Sequence, residues 1–263
     1  MKIAFIGGGA MAEAIIKCLL TKRVAVPQDI AVSDISLLRR ELLSKEYGVN
    51  TLADNRKTIT DTDLIILAVK PQNLPQVMAE MKGLAFEQLV LSIVAGAALS
   101  GLCHGLNHSS VIRAMPNMPA QIGEGMTIWT ATTKTKQRQK KLAQTILGTL
   151  GKEVYVADEN YLNMATALSA SGPAYVFLFI EALIDAGVHI GLSRDLSQEL
   201  TIQTILGSTR TVEKTGKHPA DLRNMVTSPG GTTTEALLEL EKGRFRSIIM
   251  EAVAAAHKKA ERL

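Results

Sequence analysis

The sequence predicts an α/β fold: an N-terminal Rossmann-type doubly wound sheet over residues 1–157, followed by an all-α helical domain over residues 158–263. Three observations predict it. Short apolar runs alternate with helical periodicity through the first half, as parallel strands joined by crossover helices require. One run, Leu64–Val69 (LIILAV), is apolar throughout, which fits a strand buried on both faces. Beyond Val156 strand signals stop and 3.6-residue periodicity takes over.

Taken in order, Lys2–Ile6 reads as the first strand and Ala10–Thr21 as the first helix. Ile30–Ser33 is the second strand and Ser36–Tyr47 the helix that returns from it. Leu64–Val69, Leu89–Ile93 and Val111–Ala114 are further strands. Lys134–Lys141 reads as the start of an amphipathic helix, with Leu142, Ile146 and Leu147 inward and the lysines on a solvated face. The second half reads as helices over Leu162–Ile190, Leu196–Glu213, Thr232–Glu241 and Ser247–Glu261. So small a bundle built on one long apolar helix is expected to bury its faces against a second subunit, as a homodimer or higher homo-oligomer.

Composition narrows the function. The 263 residues are 46% hydrophobic and 21% charged, an ordinary globular mix. Aromatics are only 4%, which opposes base stacking on single-stranded nucleic acid, and no nucleic-acid partner is expected. Two isolated cysteines, Cys18 and Cys103, make no disulfide framework and suit a reducing, cytoplasmic compartment. No targeting signal is read at the N-terminus, where Met1 leads straight into a strand pattern. No membrane partner is expected: Leu89–Leu99 is short for a span, and Glu181 and Asp185 interrupt Tyr175–Leu192. The formal charge of +4 is uneven. Residues 1–157 carry 18 Lys and Arg against 12 Asp and Glu, and the remainder 11 against 13. A basic first half suits a polyanionic small ligand such as a dinucleotide, with nucleic acid as the competing reading.

The first strand runs into Gly7-Gly8-Gly9-Ala10-Met11-Ala12, a G-x-G-x-x-A turn that opens the first helix. Gly7 permits the tight turn, Gly9 lets the backbone approach a pyrophosphate, and Ala12 allows close helix–strand packing. The free N–H groups at the helix start then face the phosphates. Gly7, Gly8, Gly9, Ala10 and Met11 are therefore candidate cofactor residues. Asp34 lies 22 residues beyond Ala12, where an acid binds the adenosine ribose diol. Ser33, Ser36, Arg39 and Arg40 around it favour a 2′-phosphate instead. The expectation from Ser33, Asp34 and Arg39 together is NADP(H), with NAD(H) as the alternative. In an open α/β sheet ligands bind outside the carboxyl ends of the strands, which adds Ala68, Val69, Lys70 and Pro71 after one strand and Ala95 and Gly96 after the next. Asn117, in the rigid Met115–Pro119 loop, is a candidate donor to a nicotinamide or its ribose.

The helical half has its own signature, Val226-Thr227-Ser228-Pro229-Gly230-Gly231-Thr232-Thr233-Thr234-Glu235. Ser228–Gly231 reads as a turn, and Thr232 with Glu235 as a capping box opening a helix. A glycine-preceded helix start lined with hydroxyls suits a carboxylate; the plain alternative is a well-capped helix. Glu181, Asp185 and His189 recur on one helix face, but a polar stripe explains them better than ligation, and no metal is expected.

These motifs together resemble the pyrroline-5-carboxylate reductase family over nearly the full length. The glycine turn, AVKPQ at Ala68–Gln72, RAMPNMPA at Arg113–Ala120, SGPAY at Ser171–Tyr175 and SPGGTTTEAL at Ser228–Leu237 occur in that family's order, with His218-Pro219 upstream of the last. The resemblance implies an oxidoreductase of proline biosynthesis. It would reduce the C=N bond of 1-pyrroline-5-carboxylate with NAD(P)H, giving L-proline. It implies that Ser228, Gly230, Gly231, Thr232 and Thr233 hold the substrate, with Thr233 bonded to the ring nitrogen. It implies active sites shared between the dinucleotide domain of one subunit and the helical domain of another. Related dehydrogenases acting on alcohols use a lysine on the long helix; Ser169–Tyr175 here contains none. A cyclic imine is protonated before it accepts hydride, so a positioning hydroxyl suffices there. Reduction of another cyclic imine, use of a deazaflavin cofactor, or dinucleotide sensing without turnover are the competing readings.

Overall fold

A computed structural model describes residues 1–262. Eight strands form one sheet in the order β3-β2-β1-β4-β5-β6-β7-β8. The chain runs β1 (Ile3–Ile6), α1 (Ala10–Thr21), β2 (Ile30–Ser33), α2 (Leu37–Tyr47), β3 (Asn50–Leu52), α3 (Asn55–Ile59), β4 (Leu64–Leu67), α4 (Leu74–Glu80), β5 (Leu89–Ser92), α5 (Leu99–Leu106) and β6 (Val111–Met115). These six strands pair in parallel. β7 (Gly125–Ala131) is antiparallel to β6, and β8 (Gly151–Tyr155), reached through α6 (Gln137–Leu147), is parallel to β7.

The alternation of side chains along each strand builds two cores. Ile3 and Phe5 of β1 face a cluster with Ile15, Ile16 and Leu19 of α1, Leu43 of α2 and Ile146 and Leu147 of α6. Ala4 and Ile6 face the other side, with Ile59 of α3, Val77 of α4 and Leu102 and Leu106 of α5. Each fully buried leucine or isoleucine of these layers contributes about 2 kcal/mol by leaving water. The doubly wound sheet is therefore the one expected.

The sequence pattern does not reveal β3, β7 and β8. β3 is only three residues at the sheet edge, and β8 mixes charge with half-exposed Val154 and Tyr155. Both are outer strands with one paired edge, so neither needs an apolar run.

Compactness divides the chain elsewhere than at residue 158. One unit runs from Met1 to Ser171 and takes up the chain again from Ala256; the other is Gly172–Ala255. The first includes α7 (Asn160–Ala165) and a π-helical turn, Thr166–Ala170. Arg113 of β6 explains this: it bonds Glu159 and Asn163 and ties the first helical turns after the sheet to the sheet itself.

In the second unit α8 (Gly172–His189) and α9 (Arg194–Thr215) pack closely, since a Cβ on Gly187 would lie 2.6 Å from the Ser197 hydroxyl. α10 (Pro219–Met225), α11 (Thr232–Lys242) and α12 (Phe245–Ala260), the last of which belongs to this unit as far as Ala255, complete the helices. Phe179 and Phe245 approach at 6.0 Å between ring centres. Large apolar side chains stay exposed, among them Phe177 (50%), Leu178 (67%), Ile190 (78%) and Met250 (65%). The expected single helix Leu162–Ile190 is instead α7, the π turn and α8 in continuous succession. Together Asn160–His189 is long and apolar enough to cross a membrane by length and composition.

Candidate active site

Within the first unit the carboxyl ends of β1, β2, β4 and β5 lie side by side, since Ile6 is in register with Ser33 and Leu67, and Leu67 with Ser92. The glycine turn leaves β1 at this edge. Gly7 has φ +96°, and its N–H donates to Ser33 O at 2.8 Å. A Cβ there would meet Ala68 O at 2.8 Å, so only glycine lets the turn pass against the end of β4. Gly9 caps α1 in extended conformation without any side-chain cap, and a Cβ built on it meets nothing within 4 Å. The first amides of α1, from Ala10 and Met11, have no acceptor within the helix. Open space in front of uncapped amides fits a pyrophosphate. Ala68–Pro71 and Ala95–Gly96 follow β4 and β5 at the same edge. The structure thus brings these candidates together.

Asp34 is fastened to the turn. Its Oδ2 accepts from Gly8 N at 2.8 Å and its Oδ1 from Ser36 N at 2.8 Å. Arg39 donates through Nε to Gly8 O and through Nη2 to Glu13, a residue of the first turn of α1. The Tyr47 hydroxyl donates to the other oxygen of Glu13 at 2.8 Å. Burial works to raise the Glu13 carboxyl, but Arg39, Tyr47 and Lys17 outweigh it and hold it below the usual carboxylate range. Burial, and then the Glu13 carboxylate, push Tyr47 up to about 12.

Two candidates are placed differently from expectation. Ser33 is 1% exposed and its hydroxyl donates inward, to Asn55 Oδ1 at 2.5 Å, so it presents no donor to a cofactor phosphate. Asn117 uses its amide on the protein: Oδ1 accepts from Met126 N at 2.8 Å and Nδ2 donates to Ser169 O at 3.0 Å. It fastens the loop after β6 to the π turn rather than offering that amide to a nicotinamide.

A further group belongs to this edge. Arg113, buried in β6, donates to Glu159 Oε1 at 2.8 Å and to Asn163 Oδ1 at 3.0 Å. The same Glu159 oxygen accepts from Leu99 N at 2.8 Å, at the start of α5 directly after the Ala95–Gly96 loop. Burial, and then Glu159, raise the Cys103 thiol above its ordinary range. An arginine inside the apolar strand VIRAM signals a carboxylate partner; which carboxylate is decided by the fold.

In the second unit the glycine-rich turn before α11 forms as expected, with a correction at its cap. Gly230 takes φ +68°, and Gly231 N donates to Ser228 O at 3.1 Å. The N-cap is Gly231, not Thr232, and no side chain caps the helix. Thr232 is already helical, so the Thr232–Glu235 capping box does not form. Thr234 instead sends its hydroxyl back to Ser228 O at 2.7 Å. A Cβ on Gly231 would lie 2.5 Å from Ser228 Oγ, so the serine hydroxyl lies directly over the glycine. Ser228, Gly230, Gly231, Thr232 and Thr233 are gathered at one helix start whose first amides lack side-chain partners. His218 caps α10, accepting from Ala220 N at 3.2 Å. On the long helix, Asp185 pairs with Arg194 at 2.8 Å.

A mostly parallel sheet with an open glycine-rich turn at its carboxyl edge, continued by a helical unit, defines a Rossmann-type dinucleotide oxidoreductase. Comparison with known proteins agrees. Residues 2–96 match the family described as NADP oxidoreductase, coenzyme F420-dependent, and residues 159–263 match pyrroline-5-carboxylate reductase dimerisation. A pyrroline-5-carboxylate reductase of Synechocystis is 42% identical, with 100% of this chain and 98% of that protein covered. Among solved structures, a pyrroline-5-carboxylate reductase from Coxiella burnetii superposes with a TM-score of 0.90 at 36% identity, covering 99% and 97% of the two chains. Pyrroline carboxylate reductase from Plasmodium falciparum, solved with NADP bound, superposes with a TM-score of 0.91 at 33% identity, covering 100% and 97%. The chain belongs to the pyrroline-5-carboxylate reductase family.

Proposed function

We propose that this protein reduces the C=N bond of 1-pyrroline-5-carboxylate to L-proline, the last step of proline biosynthesis, with residues 1–157 holding the dinucleotide and residues 158–263 the substrate. The observation that carries this reading is the turn at Ser228–Gly231 opening on Thr232 and Thr233, a helix start with no side-chain cap in the same chain as the glycine turn before α1. When bound, a reduced nicotinamide dinucleotide supplies a hydride, and with it two electrons, to the imine carbon.

The chain's own residues do the rest. Gly7 and Gly8 shape the turn, their own amides held by Ser33 O and Asp34, and Gly9, Ala10 and Met11 bind the pyrophosphate through backbone amides. Asp34 and Arg39 face the adenosine ribose, while Ala68–Pro71 and Ala95–Gly96 line the path toward the nicotinamide. Ser228, Gly230, Gly231 and Thr232 hold the substrate carboxylate at the positive end of α11. Thr233 orients the ring nitrogen, which arrives protonated and keeps its proton as the amine forms. No lysine is needed, because no alkoxide develops.

The cofactor is NADP(H), in line with the matched family's description and the NADP-bound relative, with NAD(H) as the alternative. The exposed apolar faces of α8 and α12 and the matched dimerisation family support a homodimer or larger homo-oligomer, with active sites completed by the helical unit of a second copy. That second copy, rather than lipid, covers the apolar stretch of Asn160–His189. We place the protein in the cytoplasm.

The test is oxidation of NADPH and of NADH by the purified chain with synthetic pyrroline-5-carboxylate, with L-proline identified as product. Turnover with either cofactor supports the reading, and no oxidation with either refutes it. The description of the matched N-terminal family also favours testing reduced deazaflavin as electron donor. Turnover only with that donor would install the second reading.

A further inference from the structure

At the end of β2 two opposed chemistries stand side by side. The Asp34 carboxylate, fixed by Gly8 N and Ser36 N, accepts from a ribose diol and repels a 2′-phosphate. Arg39 is the guanidinium on hand to answer such a phosphate, and it is already engaged: it bonds Gly8 O within the turn and pairs with Glu13. Tyr47 holds the far oxygen of Glu13 and so keeps the carboxylate facing Arg39. Arg40 is turned to the backbone, donating to Asp34 O at 2.6 Å. Ser33 is turned inward to Asn55. The basic and hydroxyl groups that read in sequence as a 2′-phosphate site are thus largely spent inside the protein.

We propose that Glu13 is a specificity-determining residue: by holding Arg39 it disfavours a dinucleotide bearing a 2′-phosphate against one with a free 2′-hydroxyl. The inference rests on the reading of this unit as a nicotinamide-dinucleotide site. A 2′-phosphate carries about −1.5 to −2 charges, as phosphate monoesters do. It must draw Arg39 off a carboxylate and then lie beside both Glu13 and Asp34. Glu13 stands in the first turn of α1, and whatever its charge costs a pyrophosphate bound at that helix start is common to both dinucleotides. The ratio of the two affinities therefore isolates its action through Arg39.

The test is equilibrium titration of the purified full chain with NADH and with NADPH, without substrate, read by calorimetry, with thermal melts confirming that each variant is folded. Glu13→Gln keeps the shape and removes the charge. It is expected to raise Kd(NADH)/Kd(NADPH) about tenfold, the effect of one charge-assisted contact. Tyr47→Phe loosens Glu13 and is expected to raise the same ratio about threefold, since Arg39 keeps its partner and only the hydrogen bond that fixes the far oxygen of Glu13 is lost. Glu13→Gln combined with Arg39→Gln should lose the gain. A ratio within twofold of wild type in both single variants overturns the proposal, as does a gain that survives the loss of Arg39. Failure of the wild-type protein to bind either dinucleotide overturns the underlying reading as well, whereas tight binding of both with an unmoved ratio overturns this inference alone.

Discussion

Glu159 is the residue whose removal most directly tests how the sheet edge is held together. One oxygen of its carboxylate serves Arg113 of β6 and Leu99 N at the start of α5. Glu159→Ala leaves Arg113, whose side chain is 7% exposed, with Asn163 as its remaining partner, and leaves the Leu99 amide without one. A lost acceptor for a buried donor costs about 1–3 kcal/mol, and more when the donor is charged. Glu159 is itself 29% exposed, so water softens the loss, and about 2–3 kcal/mol in all is expected. For a chain of this size that lowers Tm by roughly 5–10 °C. Glu159→Gln keeps an oxygen for both donors and loses only the charge, so it should recover about half of the deficit. The assay is thermal unfolding followed by circular dichroism at one protein concentration, because an oligomer's Tm depends on concentration. The Ala95–Gly96 loop runs into α5, so the KM for the dinucleotide should rise as well, with kcat changing less. A Tm within about 1 °C of wild type in Glu159→Ala would show that the Arg113–Glu159–Leu99 junction carries no net stability.

Other expectations follow from single features. Gly7→Ala forces a Cβ to 2.8 Å from Ala68 O at φ +96°; it should lower Tm and abolish measurable dinucleotide binding in a calorimetric titration. Thr233→Ala should lower kcat for pyrroline-5-carboxylate about 10²-fold, and wild-type kcat/KM would remove Thr233 from the mechanism. Phe177→Glu together with Leu178→Glu places charge on an exposed apolar face of α8, and sedimentation should show dissociation toward monomers. Tyr47 has its pKa raised, so the stability it contributes is complete below its ordinary value of 10.0 and is lost as pH rises toward about 12. Ultraviolet titration of tyrosinate should show one late step, absent in Tyr47→Phe and moved down by Glu13→Gln.

The sequence by itself determined the doubly wound sheet, because strands buried on both faces must be apolar runs, and Leu64–Leu67 and Leu89–Leu91 are. It marked the two glycine turns, because Gly7 and Gly230 take positive φ, which glycine meets locally; that Gly7 must also clear Ala68 O was decided by the fold. It also carried the family, through motifs that keep their order along the chain. Tertiary structure alone decided the rest. The edge strands β3 and β8 draw on a neighbour's hydrogen bonds rather than on their own pattern. Gly231 rather than Thr232 caps α11, because the Ser228 hydroxyl lies over the glycine and Thr234 reaches back to the Ser228 carbonyl. The Ser33 and Asn117 side chains are spent on Asn55, Met126 and Ser169. Arg39 read in sequence as a phosphate ligand, and folding gave it Glu13 as a partner 26 residues away. A side chain's type is local, but the partner that satisfies its charge is chosen by the path of the chain, and at this site that partner decides which ligand the charge remains free to meet.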